Sequence, residues 1–219
     1  MSVVLTTPDS SDRKPAPPGI RGAAHALAAA LVGLSLLGSQ YAEARAQSQD
    51  CLPDGSGFLQ VVLSGVVQYD IGWDDEDMTC GGMGSSDWID VEGQQTQVLF
   101  QSVQFQGVPA GASSPVDLMF NIQVEEGATG VDLSVKVGIN DHASGRYFAT
   151  SEWGGCTADV TEQSLIDENP AFRRYRLVVN GSCAEPSVQY AGPGGAGASE
   201  VTVGDFEFVG IAIWMGPRS

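Results

Sequence analysis

Alternation of apolar and polar residues dominates the chain beyond its first 46 positions. "VDLMFNIQV" (116–124) places Val116, Leu118, Phe120, Ile122 and Val124 on one face, and "VDLSVKVGI" (131–139) does the same with Val131, Leu133, Val135, Val137 and Ile139. A period of two over five or more residues marks a strand with one buried face. In "VLFQSVQF" (98–105) the apolar set runs Val98, Phe100, then Val103, Phe105. That switch of face between 100 and 103 predicts a bulge. Further strands are expected at 58–71, 145–153, 172–180 and 201–214, the last within the continuous apolar run "FEFVGIAIWM". No stretch beyond residue 46 sustains a period of 3.6. Glycine-rich or polar breaks, "EEGATG", "NDHASG" and "AGPGGAGAS", separate the runs. The pattern predicts an all-β protein, an antiparallel β-sandwich of about six core strands.

Two stretches do not fit a minimal sandwich: 74–90, "DDEDMTCGGMGSSDWID", and about 154–203, with the "GPGGAGA" run. Both read as loop-rich insertions, and each carries cysteine. The four cysteines, Cys51, Cys80, Cys156 and Cys183, allow three pairings. Closing a loop of about 30 residues is worth roughly 3–4 kcal/mol, so the local pairs 51–80 and 156–183 are favoured. The expected organisation is one domain, 47–219, with its core in 58–153 and 204–216.

The first 46 residues read differently. Arg13, Lys14 and Arg21 precede "AAHALAAALVGLSLLG", and Ala44-Arg45-Ala46 offers a small-x-small cleavage site before Gln47. That is the layout of a secretory signal peptide. The apolar run is shorter than the roughly 20 residues of a membrane-spanning helix, so membrane insertion is not expected. The location implied is secreted or cell-surface, or periplasmic in a Gram-negative cell, which suits paired cysteines. Three of the 27 acidic residues and four of the 10 basic ones lie in 1–46. The remainder has a net charge near −18 and a single lysine, Lys136. Nucleic acid would be repelled.

Candidate chemistry is sparse. The one histidine beyond residue 46, His142, sits in the turn-like "NDHASG" and would have to serve any Ser-His-Asp site; a solvated turn residue is the commoner case. Asp74, Asp75, Glu76 and Asp77 form an acidic run that could offer oxygen ligands to calcium, but without the spacing of an EF-hand. No phosphate loop, nucleophile elbow or dinucleotide fingerprint is present, and no enzyme activity is expected. The aromatics are better placed. Trp73, Trp88 and Trp153 fall near strand ends, beside glycine-rich or acidic stretches. An aromatic face with a few polar groups around it is what a sugar site requires. Trp214, inside the last apolar run, reads as core. Trp153 closes the run "SGRYFATSEW" and is followed by Gly154-Gly155, which places its indole at a rim.

The order of these pieces resembles the H-type lectin domain of snail agglutinins and of the C-terminal part of discoidins. "VVLSGVVQYDIGW" (61–73) is similar to that family's opening strand, and "VLFQSVQFQGVP" (98–109) to its second. Residues 114–153, from a Pro-hydrophobic start through two alternating strands to a Gly-aromatic strand ending in Trp, resemble its central block. "FEFVGIAIWMG" resembles its last strand. The match covers somewhat over half of 47–219. It implies a six-stranded sandwich, a homotrimer, and binding of galactose or N-acetylgalactosamine at subunit boundaries. The sugar-contacting Trp falls on Trp153, the first-loop acid near Asp70, a central-strand Arg near Asp132, and a polar residue after the Trp on Gly154. The last two depart from the family's chemistry: an ionised Asp132 cannot donate to a hydroxyl, and Gly154 has no side chain.

The sequence therefore points first to a secreted carbohydrate-binding or adhesion module. A structural surface or fibre subunit is the alternative, motivated by the long apolar last strand, which could pair with a neighbour. A hydrolase built on an acidic pair ranks last.

Overall fold

The computed structural model of the chain describes residues 51–91, 94–150 and 153–215. The expected signal peptide, 1–46, and its cleavage point before Gln47 lie outside them, as does the side chain of Trp88. Among the described residues there are eleven strands and one 3-10 turn, Asp75–Asp77, and every strand pairing is antiparallel. The all-β expectation holds; the number of strands is larger than the six expected.

The strands are β1 (Phe58–Gly65), β2 (Tyr69–Asp74), β3 (Met78–Val91), β4 (Gln94–Gly107), β5 (Val116–Ile122) and β6 (Gly130–Asp141). They continue as β7 (Arg146–Ala149), β8 (Cys156–Glu168), β9 (Phe172–Cys183), β10 (Ser187–Ala191) and β11 (Glu200–Met215). β6 and β11 are the branch points. Two routes join them, one through β7 and β10, the other through β8 and β9. The β1–β2 hairpin extends from β11, and β5, β4 and β3 extend from β6. β3 and β4 also pack against β11, so the sheet folds over itself in a sandwich-like way.

Between the folded halves lies the core. Phe105 packs on Phe208 with ring centroids 5.1 Å apart, and Phe120 lies 4.9 Å from both Phe206 and Phe208. The alternating set of β5, Val116, Leu118, Phe120 and Ile122, is fully buried. Each such side chain contributes about 1.5–3 kcal/mol through removal from water. A second, smaller cluster of Leu52, Val209 and Ile211 covers the reverse face of β11. β11 is therefore buried on both faces at its middle, and this is the reason its sequence does not alternate there.

Several expectations are corrected. Residues 58–71 are not one strand. Gly65 has φ +115°, and a Cβ there would meet the Glu200 carbonyl oxygen at 2.7 Å. The chain turns after this glycine, and β2 returns along β1 with Leu59 opposite Trp73. Residues 74–90 are mostly strand, paired in unbroken register from Met78↔Gly107 to Val91↔Gln94. No bulge interrupts β4. Gln101 shares the buried face with Val103 and Phe105, while Phe100 sits on the opposite face against Trp153. The apparent switch arises because both faces of β4 are covered.

The supposed insertion at 154–203 is integral. β9 pairs with β11 from Phe206↔Gly181 to Met215↔Phe172, and β8 pairs with both β9 and β6. One edge of β11 carries β1 over 201–209, and the other carries β9 and β10. The last strand is thus paired along both edges over 206–209 and along its β9 edge to Met215. Val131 is also not in the core: it is 73% exposed, in a bulge between Gly130 and Leu133 where Asp132 has φ +51°. Both disulfides form as expected, Cys51–Cys80 and Cys156–Cys183. No helix among the described residues is long and apolar enough to cross a membrane.

Candidate functional site

The residues singled out in the sequence do not converge. Asp70 on β2 and Asp132 in the β6 bulge line one groove of about 750 Å³, together with Asp159, Asp205 and Glu207. The backbone N–H of Asp132 donates to Asp159 Oδ1 at 2.9 Å. Trp153 lies elsewhere. Its ring packs on Phe100 with centroids 5.4 Å apart, and Lys136 Nζ sits 4.9 Å from the centroid of its ring. Its indole N–H is buried without a hydrogen-bond partner. β7 ends at Ala149, before Trp153, which lies in a turn with Gly154 at φ +92°. Trp73 is in the core, 4% exposed.

The acidic run is likewise divided. Asp75 is buried and accepts backbone N–H bonds from Cys51 at 3.1 Å, Leu52 at 2.8 Å and Gly57 at 3.0 Å. It anchors the start of the domain instead of facing solvent beside its neighbours. Among the described residues no group of three or more His, Cys, Asp or Glu side chains is arranged to hold a metal ion. His142 is more than a solvated turn residue. Its Nε2 lies 2.9 Å from Asp117 Oδ2, while the Ser144 hydroxyl donates to Asp141 instead. Burial would raise the Asp117 carboxyl. Hydrogen bonds from His142, Gln106 and Asn140 outweigh that and hold it below its ordinary value.

A different groove has the parts of a sugar platform. It measures about 600 Å³ and lies over β6, β7 and β10, lined by Asn121, Lys136, Tyr147, Thr150, Gln189 and Tyr190 and closed on one side by Ala196 and Gly197. Tyr147 and Tyr190 meet edge to face, with centroids 6.1 Å apart at 83°. Tyr190 is 72% exposed. Burial pushes the Tyr147 phenol up, and Tyr190 beside it adds to this. No Asp or Glu lines this groove, in contrast to the acidic one.

The local sequence explains the arrangement only partly. On β7, Phe148 points into the core, fully buried, which sends Tyr147 and Ala149 to the groove side. Thr150 continues the inward face. Its Oγ1 accepts the Val137 N–H at 3.0 Å. On β10 the register shifts between Gln189, opposite Phe148, and Ala191, opposite Tyr147. Tyr190 is the extra residue of that bulge, and a bulge re-aims the side chain it carries. Gln189, its neighbour, is 2% exposed. Tyr190 escaped the sequence reading because it fell inside the supposed insertion. Its signal was nonetheless present: an aromatic directly before a glycine-rich loop, the criterion applied above to tryptophan.

Comparison with family models, with curated proteins and with solved structures finds no match to this chain.

Proposed function

We propose that the chain is an exported carbohydrate-binding module that takes a galactose- or N-acetylgalactosamine-type sugar in the Tyr147–Tyr190 groove. The observation that carries this reading is the aromatic pair, an exposed Tyr190 edge to face with a half-buried Tyr147. An aromatic side chain offers an apolar face to the C–H side of a pyranose, and Asn121 and Lys136 supply donors at its border. The resemblance to H-type lectins supports the sugar class, with the site moved from Trp153 to the tyrosines. Two disulfides support folding in an oxidising compartment, and export through the N-terminal segment belongs to the same proposal. So does self-association as a trimer, which light scattering of 47–219 would measure.

The test is a glycan array on purified 47–219, followed by titration of N-acetylgalactosamine. Tyr190→Ala should weaken binding at least tenfold and leave the melting temperature unchanged, because that ring is mostly in solvent. Absence of glycan binding by the wild type, or full affinity in the variant, would overturn the reading.

A further inference from the structure

One wall of the tyrosine groove is a loop with almost no side chains. Residues 192–198 read Gly-Pro-Gly-Gly-Ala-Gly-Ala, and Gly192, Gly194, Gly195 and Gly197 all have positive φ. Such a segment has high conformational entropy and does not hold a shape unaided. Yet it is held. Gln189 N–H donates to the Ser199 carbonyl at 2.8 Å, and its own carbonyl accepts the Gly197 N–H at 2.7 Å. Its side-chain Nε2 donates to the Pro193 carbonyl at 2.8 Å, and its Oε1 accepts the Ser199 hydroxyl at 2.5 Å. One buried residue thus uses its backbone and both ends of its amide on the same loop. The loop's base is fixed a second way: a Cβ on Gly192 would lie 2.9 Å from the Arg146 Cα.

We infer that Gln189 is the positioning residue of this groove, and that its amide sets the 192–198 loop as the wall against which a sugar on Tyr147 and Tyr190 is held. The inference rests on the sugar-binding reading above. Its physical basis is preorganisation: a wall already ordered before binding removes an entropic cost that a free glycine loop would impose on the ligand. The groove has no carboxylate, so hydroxyl groups must be met by neutral acceptors. Ala196 and Gly197 line the groove, and holding the loop keeps that part of its wall in place.

The test uses 47–219 and N-acetylgalactosamine, with Gln189→Ala, Gln189→Glu and Tyr190→Ala. Gln189→Ala should accelerate amide hydrogen exchange at Gly195 and Gly197 at least tenfold, leave exchange in β5 and β6 unchanged, and weaken binding about tenfold. Gln189→Glu keeps the acceptor for Ser199 but loses the donor to Pro193, and should fall between. If Tyr190→Ala weakens binding and Gln189→Ala does not, the groove stands and the positioning role falls. If Gln189→Ala slows no binding step yet lowers the melting temperature, the residue is structural only. If the wild type does not bind the sugar, the underlying reading falls with the inference.

Discussion

Asp75 accepts three backbone N–H bonds in a buried position. Asp75→Ala leaves those donors without partners, and each buried orphan costs about 1–3 kcal/mol. The variant should lose about 3 kcal/mol in urea denaturation, with or without calcium, since the carboxylate serves the backbone. Trp153 makes a comparable case. Its ring contacts Phe100 and Lys136, and an aromatic pair adds about 0.5–1.5 kcal/mol to area burial. Trp153→Ala should therefore cost about 2–3 kcal/mol, less than the 3–5 kcal/mol of a fully buried tryptophan, and should leave sugar titrations close to wild type. A stability change below 0.5 kcal/mol with loss of binding would return the site to Trp153.

At the scale of elements, the β8–β9 hairpin is the part most altered by seeing the fold. Cys156 and Cys183 sit directly opposite each other in its register, and the far end carries Arg174 against Asp167 and Arg176 against Glu162. Hydrogen bonding by Arg174 holds the Asp167 carboxyl below its ordinary value, but these exposed pairs contribute little each. The disulfide contributes more. The crosslink spans 27 positions, and the double variant Cys156→Ala/Cys183→Ala should lose about 3–4 kcal/mol by the chain-entropy estimate. Denaturant unfolding measures it. Because β9 is paired to β11, the loss should appear in the single global transition instead of as local melting of a loop.

For the molecule as a whole, the polar junction at Asp117 couples folding to pH. It gathers Gln106 of β4, Asn140 of β6 and His142 of the following turn around one carboxylate of β5. The folded protein keeps Asp117 ionised below its ordinary value of 3.8. The stabilisation is therefore fully present above that value and is lost as pH falls through the lower folded value. Melting temperatures of wild type and Asp117→Asn should differ at pH 6 and converge as the pH is taken well below the ordinary value of that carboxyl. Curves that stay parallel to the lowest pH would show that this carboxylate is not held down by the fold. The acidic groove at Asp70 and the groove at Tyr147, which has a lysine and no carboxylate, lie on the same molecule, so the overall charge of −17 describes neither site by itself.

The sequence by itself determined the strands whose one face is buried. The runs at 116–122 and 133–139 alternate because each packs one side on a core, and that constraint is written residue by residue. It also determined the disulfide pairs, since short loops close at lower entropic cost than crossed ones. Only the tertiary structure decided the rest. The strand expected at 172–180 is most of β9, whereas β8 and the Gly-rich part of β3 look like loops in the sequence, because their residues are largely polar or glycine and pairing is a property of two segments. β4 imitates a bulge because Phe100 is covered by Trp153, about 50 residues on in the chain. The groove was invisible for the same reason. Tyr147 and Tyr190 stand 43 positions apart, and they meet only because β7 pairs with β10 and a one-residue bulge turns Tyr190 outward.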